Sequence, residues 1–511
     1  MLFNSYEFLL LFLPIVVGGF VYVARFGHQY ALTWLVAGSL FFYGWWNPYY
    51  LTLLIASIFF NYIIGQSLQP VSDSKKFQRK LLLCIGVGVN LGILGYYKYF
   101  NFIQDTANFL FASEFNIESI ILPIGISFFT FQQIAYLVDT YQNKAEEHKF
   151  LHYCLFVSFF PQLIAGPIVH HKEILPQFLR AETFKLNFDN IVIGLSIFSI
   201  GLFKKVCIAD NLALIATPVF TAAETGENLH FFLAWRGAIA FTLQLYFDFS
   251  AYSDMAIGIA RMFGIKLPLN FHSPYKAASI IDFWRRWHMT LSRFLRDYVY
   301  IPLGGSRKGK LRRYINLLIT MLLGGLWHGA GWTFVFWGGL HGIYLIINHA
   351  WRRIRSEPTK NWLATWAART VTFFAVALAW VFFRTESFDG ALNMLTGMMS
   401  LPQNLVQMLG PVALGLEWLG FNFEGPNANR SNIYDLCYLF FWLMFMWYVP
   451  NTQQWFARQT PALDYYADTS VTQLNHLQWG KNLVWALIIG AILVMGLLNL
   501  TQVSEFLYFQ F

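Results

Sequence analysis

Charged residues are scarce in this chain. Only 12% of its 511 residues are Asp, Glu, Lys or Arg, whereas a soluble domain has about 25%. Hydrophobic residues make up 57% of the chain, and the mean hydropathy is +0.46. This composition argues against a soluble globular protein and predicts an all-α polytopic integral membrane protein.

The beginning of the chain has no positively charged segment of the kind that precedes the apolar core of a signal peptide. Glu7 stands where a Lys or Arg is expected. The apolar residues 6–24 are therefore predicted to be a first membrane-spanning helix. The four cysteines are scattered through apolar stretches without a C-x-x-C pair, which argues against a disulfide framework or a zinc site.

Several motifs of soluble enzymes are also missing. The sequence has no H-E-x-x-H metal motif and no G-x-S-x-G nucleophile elbow. No histidine is followed by an aspartate five residues later, so the H-x-x-x-x-D pattern of soluble glycerolipid acyltransferases is absent as well. Any chemistry in this chain is expected to occur at membrane depth.

Hydropathy predicts about eleven transmembrane helices, because a bilayer core of about 30 Å needs roughly 20 apolar residues per crossing. Some apolar stretches are short or broken by Pro and Gly, and these are predicted to be re-entrant segments buried in protein. We expect residues 1–511 to form a single membrane domain, with residues 245–349 as its catalytic core.

The charges of the loops predict the orientation. Residues 261–313 contain twelve Lys or Arg and only two Asp, which predicts a cytoplasmic location. Residues 98–120 carry Asp105, Glu114 and Glu118 and are predicted to be external, as is the N-terminus. Because the basic residues flank membrane segments rather than forming one patch, nucleic acid is not an expected partner, whereas membrane lipid is.

Two carboxylates stand inside an otherwise apolar stretch of the catalytic core, Asp248 and Asp254. An ionisable residue at membrane depth usually faces the bundle interior or a water-filled cavity. Asp248 and Asp254 are therefore candidates for the lining of a tunnel. A hydrogen-bonded structural carboxylate near an interface remains the alternative for each.

Residues 280–310 combine basic and aromatic side chains at helical spacing. One interpretation is an amphipathic helix in the cytoplasmic interface, with arginines that extend to the lipid surface. The other is a cationic entrance for an anionic cofactor, with His288 inside it. The arginines concerned are Arg285, Arg286, Arg293 and Arg296.

Two histidines, His328 and His341, stand in the Gly-rich apolar stretch 321–342 together with Trp327 and Trp332. A metal site or a haem has little support here, since neither a carboxylate within one turn nor a second pair of intramembrane histidines is present. A general base in a buried tunnel is a further interpretation, because a desolvated imidazole stays neutral and accepts a proton. The alternative for His328 is a hydrogen-bonded core histidine.

The sequence resembles bacterial members of the membrane-bound O-acyltransferase (MBOAT) family, in particular the alginate O-acetyltransferase branch. The resemblance extends over most of the chain and is most specific between residues 245 and 342. The matching stretches are LPIGISFFTFQQIAYLVDTY (122–141), FFPQLIAGPI (159–168), FKKVCIADNL (203–212), LYFDFSAYSDMAIGIA (245–260), FWRRWHMTLSRFLRDYVYIPLGG (283–305), LLGGLWHGAGWTFVFWGGLHG (322–342) and the closing FLYFQF.

The resemblance implies an irregular ring of tilted helices around a central tunnel in which a cytoplasmic acyl donor meets an external acceptor. It implies that His328, in the W-H-G motif, is the catalytic residue. His288, in F-W-R-R-W-H, is implied to be catalytic or to line the tunnel. Trp327 and Trp332 are candidates for the lining of the tunnel, and the tryptophan N–H groups near His328 are candidates for contact with the developing oxyanion.

The family resemblance also implies the substrates. Acetyl-CoA is the expected donor, and no permanently bound cofactor and no metal are expected. A periplasmic acetyltransferase is the expected partner that receives the acetyl group, and the bacterial inner membrane is the expected location. Alginate-type O-acetylation is the first expectation for the polysaccharide, with peptidoglycan or cellulose as alternatives. A polytopic transporter without catalysis is an alternative of another class.

Overall fold

A computed structural model describes residues 1–69, 76–112, 119–144, 149–354, 361–402, 415, 422–425, 433–463, 478–500 and 507. Glu114 and Glu118, on which part of the predicted orientation depends, lie outside these residues, as do 501–506 and 508–511 of the C-terminal end.

The chain forms two compact units, and each is assembled from several separate segments. The first consists of Met1–Phe203, Ala251–Asn270 and Thr452–Phe509. The second consists of the described residues of Lys204–Ser250 and Phe271–Asn451. The single membrane domain expected from the sequence stays a prediction.

The first unit contains the helices of the N-terminal part of the chain. They are α1 Leu13–Val23, α2 His28–Gly44, α3 Pro48–Ser67, α4 Lys76–Leu94, α5 Phe100–Phe111, α6 Ile126–Tyr141, α7 Phe150–Ser158, α8 Phe160–Leu163, α9 His171–Leu179 and α10 Phe188–Phe203. The C-terminal part of α12 (Phe231–Met262) also belongs to this unit, together with α20 (Thr452–Trp455) and α21 (Leu483–Leu498).

Glycines let the helices of this unit pack closely. A methyl group on Gly258 of α12 would lie 2.6 Å from the carbonyl oxygen of Gly194 on α10. Small residues are typical of helix contacts in membranes, because apolar side chains gain little by leaving lipid for one another.

The second unit contains α11 (Asp210–Glu224), the N-terminal part of α12 and the helices that follow it. These are α13 Ile280–Trp284, α14 Met289–Leu295, α15 Lys310–His328, α16 Trp332–Ile354, α17 Trp362–Arg384, α18 Phe388–Met399 and α19 Ile433–Tyr448. The described strands are β1 (Ser400–Pro402) and β2 (Asn422–Gly425), which pair in parallel. The protein is therefore predominantly helical, as predicted.

Five helical stretches among the described residues are long and apolar enough to cross a membrane. They are Glu7–Phe26, Pro48–Ser67, Lys76–Phe111, Phe188–Glu224 and Trp362–Arg384. This confirms the prediction of a multi-pass α-helical membrane protein. The count of about eleven crossings and the ring around a tunnel stay predictions.

The basic aromatic segment 280–310 is not one amphipathic helix. It forms α13, a break at 285–288, α14 and a π-helical turn at Arg296–Tyr300. His288, the residue just before α14, has φ 42° and ψ 52°, which is left-handed backbone that ends the preceding turn. Trp287 and His288 are buried at this break, so the segment enters the protein instead of lying on its surface.

Helices α15 and α16 form a tight hairpin joined by residues 329–331. A methyl group on Gly325 or on Gly338 would collide with the main chain of the other helix, at the carbonyl oxygens of Phe334 and Met321, respectively. The two glycines thus allow the two backbones to touch. His328 consequently lies at the end of α15, directly opposite the first turns of α16.

Candidate functional site

The two histidines singled out in the sequence lie side by side in the second unit. The ring centroids of His288 and His328 are 6.2 Å apart, and the ring planes are inclined by 64°. His288 is 0% exposed and His328 is 4% exposed. Forty residues of chain separate them, and the break before α14 and the α15–α16 hairpin bring them together.

His328 is the last residue of α15, where the helix ends before Gly329. The C-terminus of a helix carries a partial negative charge, which favours a cation in its last turn. An imidazole at this position is therefore suited to accept a proton, because the imidazolium that forms is stabilised by the helix.

Aromatic rings enclose His328. The centroids of the Trp327, Trp337 and Phe383 rings lie 4.8, 5.1 and 5.3 Å from that of His328. Such rings exclude water, and electrostatic interactions are stronger where water is excluded. Chemistry at His328 would therefore take place in a dry, low-dielectric site.

His288 has its own aromatic surroundings. Phe249 of α12 meets it edge to face at 4.8 Å between centroids, and Phe271 lies at 6.3 Å. Burial lowers the pKa of His288 to about 3, so this imidazole is neutral at pH 7. A neutral imidazole beside His328 can accept or donate a hydrogen bond there without adding a standing charge to the buried cluster.

A third histidine, His341, extends the cluster along α16. Nε1 of Trp284 donates a hydrogen bond to Nδ1 of His341 at 3.3 Å. Trp337 lies between the two imidazoles of the hairpin, with its centroid 5.1 Å from His328 and 4.8 Å from His341. Both Trp337 and His341 are completely buried.

The four arginines of the predicted cationic entrance have different surroundings. Arg285 is exposed, and Arg293 is buried. Nε of Arg286 donates to Asp282 at 2.8 Å, and Nε of Arg296 donates to the neighbouring Asp297 at 2.7 Å. Arg285 and Arg296 are thus the two exposed members of the set, and the role of all four in binding a donor stays a prediction.

Asp248 belongs to a buried ionic cluster. Nζ of Lys205 lies 2.7 Å from Asp248 and 2.9 Å from Asp210, and all three side chains are at most 6% exposed. A buried carboxylate is tolerated where a cation and hydrogen bonds compensate its desolvation. This arrangement favours the structural interpretation of Asp248, which links α12 to the segment before α11.

Asp254, six residues further along α12, belongs to the first unit. Its carboxylate accepts hydrogen bonds from Oγ1 of Thr452 at 2.6 Å and from Nε2 of Gln453 at 3.1 Å. Asp254 thereby holds the start of α20. A place in the lining of a tunnel stays a prediction for both aspartates.

The two tryptophans proposed for the tunnel differ in position. Trp327 is buried against His328, whereas Trp332, at the start of α16, is 53% exposed. Within the described residues, no group of three His, Cys, Asp or Glu side chains is arranged to hold a metal ion.

Lys205, Trp337 and His341 are not among the site residues that the sequence predicts, although the last two stand in the Gly-rich stretch 321–342. A signal for Lys205 was present, because a lysine and two aspartates in apolar stretches must compensate one another. Trp337 and His341 are four residues apart and therefore share one face of a helix. The four-residue spacing is visible in the sequence, whereas the contact of Trp337 with His328, at the end of α15, is not.

Comparison with known proteins supports a single family. Residues 126–387 match the model of the membrane-bound O-acyltransferase family. That region contains His288, His328, Trp337 and His341.

Three named relatives align with between 48% and 100% of this chain. Peptidoglycan O-acetyltransferase of Helicobacter pylori is 47% identical over 78% of this chain and 80% of its own length. Probable alginate O-acetylase AlgI of Pseudomonas putida is 39% identical over the full length of both chains. Teichoic acid D-alanyltransferase of Streptococcus thermophilus is 27% identical over 48% of this chain and 61% of its own.

Proposed function

Since this chain belongs to the membrane-bound O-acyltransferase family, we propose that it transfers acetyl groups from cytoplasmic acetyl-CoA for the O-acetylation of an extracytoplasmic polysaccharide. The chain is an O-acyltransferase and a multi-pass membrane protein. The observation that carries the proposal is the buried pair His288 and His328, whose ring centroids lie 6.2 Å apart in an aromatic shell.

In the proposed reaction His328 acts as the general base. It accepts the proton of an acceptor hydroxyl while the hydroxyl oxygen forms a bond to the carbonyl carbon of the acyl donor. The carbonyl electrons move to oxygen, and a tetrahedral oxyanion results. When the oxyanion collapses, the bond to the leaving sulfur breaks, and the thiolate takes the proton back from His328.

His288 is the second imidazole within reach of this step. Its neutral ring can hold the acceptor hydroxyl by a hydrogen bond while His328 takes the proton. The left-handed backbone at His288 fixes where this ring points. Asparagine tolerates this conformation better than most residues, so His288→Asn removes the imidazole with little added backbone strain.

The donor is proposed to approach from the cytoplasmic side, where Arg285 is exposed beside the break that carries His288. The guanidinium group suits phosphate oxygens, because its planar fork donates two parallel hydrogen bonds. Acetyl-CoA is thus a substrate that reaches the histidines from the basic segment 261–313.

Two polysaccharides are supported by the relatives. The name of one relative gives peptidoglycan as its substrate, and that of another gives alginate. We propose alginate-type O-acetylation, with the acetyl group passed to a periplasmic acetyltransferase partner. Peptidoglycan is the second candidate, because the relative named for it is 47% identical over 78% of this chain.

The proposed location is the bacterial inner membrane with the N-terminus in the periplasm. The twelve basic residues of 261–313 support this orientation. Ser306 in this segment is exposed. In a background without the four native cysteines, Ser306→Cys should react in intact cells with membrane-permeant thiol reagents only, and labelling by an impermeant reagent would reverse the orientation.

The experiment that tests the function compares His328→Ala and His288→Asn with His349→Ala. His349 is a half-buried histidine on α16 that contacts Arg313 and serves as the control. Cells with His328→Ala should lose polysaccharide acetylation, those with His288→Asn should be impaired, and those with His349→Ala should retain it, at equal protein levels. Acetyl content is measured separately in exopolysaccharide and in peptidoglycan, which also identifies the polymer. Undiminished acetylation of both polymers with His328→Ala would contradict the assignment.

A further inference from the structure

Trp337 and His341 place two polar N–H groups on one buried face of α16. They are four residues apart, which aligns them on the helix, and both are 0% exposed. Their ring centroids are 4.8 Å apart, and Trp337 continues the contact to His328 at 5.1 Å.

The hydrogen bond from Trp284 decides where the proton of His341 lies. An indole N–H only donates, so Nδ1 of His341 accepts the bond of 3.3 Å and carries no hydrogen. A neutral imidazole then carries its single proton on Nε2. His341 thus presents Nε2–H as a donor, as Trp337 presents Nε1–H.

Neither of these donors has a hydrogen-bond acceptor among the described residues, although both nitrogen atoms are buried. An unsatisfied buried donor costs free energy, so each one calls for a partner from outside the protein, such as water or a ligand. Two of them on one helix face, beside a proposed general base, indicate a binding position for an oxygen that only the substrate brings.

We infer that Nε1–H of Trp337 and Nε2–H of His341 bind the acyl carbonyl oxygen and stabilise the oxyanion that forms on it. This inference rests on the proposed acyl transfer at His328. In that step, the carbonyl π electrons move to the oxygen as the acceptor oxygen bonds to carbon, and they return when the carbon–sulfur bond breaks. Donors that are already in place and shielded from water stabilise such a charge most effectively.

Trp380 provides a matched comparison within the same cluster. It is 1% exposed and stacks on Trp337 at 5.4 Å between centroids. Its own Nε1–H is already used, because it donates to the hydroxyl of Tyr275 at 3.1 Å. Removal of this N–H therefore perturbs the same aromatic packing without removing a free donor.

The test replaces each indole by benzothienylalanine, which keeps the ring shape and has sulfur in place of N–H. Turnover is measured as thiol released from acetyl-CoA by inverted membrane vesicles at matched folded protein. Trp337→benzothienylalanine should lower kcat about 100-fold with little change in KM for acetyl-CoA, as for the loss of one oxyanion donor. Trp380→benzothienylalanine should leave kcat close to that of the wild type.

His341 is tested by a pair of substitutions. His341→Leu removes the donor, whereas the amide of Gln in His341→Gln provides N–H near the position of Nε2. We expect His341→Leu to lower kcat about 100-fold and His341→Gln to recover part of the loss. If the role of His341 is purely structural, both variants should lose folded protein to a similar extent. Their kcat values at matched folded protein should then be equal.

The outcomes separate this inference from the proposed function. Equal thiol release by the wild type and His328→Ala would contradict the function itself. If His328→Ala is inactive but the Trp337 and Trp380 variants have the same kcat, the function stands and the oxyanion assignment is overturned.

Discussion

Gly325 and Gly338 pack backbone against backbone, and a methyl group on either glycine would lie 3.1 Å from the Cα of the other. This contact holds the end of α15, where His328 lies, against the turn of α16 that carries Trp337. The main-chain contact between the two helices therefore fixes the positions from which the side chains of the site project.

The first prediction concerns this contact. Gly338→Ala should destabilise the protein by about 1–3 kcal/mol, since the added methyl group meets main-chain atoms that cannot move aside. Acetyl transfer should fall as well. Gly339→Ala is the matched control, because its methyl group would meet only Leu322 at 3.5 Å. Thermal unfolding in detergent compares the two variants. Equal unfolding midpoints would contradict the prediction, because the two helices could then move apart without loss of stability.

The second prediction compares the aspartates of α12. Asp248→Asn weakens a buried ionic cluster and should cost about 3–5 kcal/mol, as for the loss of one partner of a buried ion pair. Asp254→Asn should cost less, about 1–3 kcal/mol, because two of the donors to its carboxylate, Thr452 and Gln453, are neutral. Thermal stability and kcat are measured on both variants. A loss of kcat with unchanged stability in Asp254→Asn would instead give Asp254 a role in the reaction.

The third prediction separates two neighbouring arginines. Arg285 is exposed, whereas Arg286 is paired with Asp282. Arg285→Gln should therefore raise KM for acetyl-CoA about tenfold, which corresponds to about 1.4 kcal/mol and to the loss of one charge-assisted hydrogen bond. Arg286→Gln should mainly lower stability. Titration of acetyl-CoA at matched folded concentration checks both, and an unchanged KM in Arg285→Gln would restrict this residue to lipid contact.

The fourth prediction concerns pH. Burial, together with the nearby Arg286 and Lys276, lowers the pKa of His272 to about 4, while Asp282 opposes this shift. The unfolded chain, with a His pKa near 6.5, binds more protons than the folded chain between these values. The contribution of His272 to stability is therefore complete above about pH 6.5 and is lost as the pH falls towards 4.

His272→Gln should remove that part of the acid sensitivity. Over the interval from pH 6.5 to 4, the wild type should lose about 3 kcal/mol more unfolding free energy than the variant does. Unfolding midpoints measured across this interval give the difference. Parallel curves for the two proteins would contradict the prediction, because they would mean that the pKa of His272 does not change on folding.

The sequence alone predicted the membrane class, because composition is a local signal, whereas the roles of His288 and His328 came from the family resemblance and stay predictions. The predicted first span, residues 6–24, corresponds to the helical stretch Glu7–Phe26. A long apolar segment that ends at glycine or charged residues favours one continuous helix.

The break at 285–288 could not be predicted in this way. Aromatic and basic residues at helical spacing favour a continuous helix, and the left-handed turn at His288 depends on burial of Trp287 and His288 in the surrounding protein. For the same reason, the donors on Trp337 and His341 depend on contacts with Trp284 and α15, which are remote in sequence. Tertiary packing decides both features.

The contrast between the enclosed His328 and the exposed Arg285 has a consequence for ionic strength. Mobile ions screen charges at the surface, with a Debye length of about 8 Å at physiological ionic strength, but they screen a buried site much less. Salt should therefore weaken capture of an anionic donor and leave the proton transfer at His328 almost unaffected. Added potassium chloride should therefore weaken donor binding without slowing the chemical step.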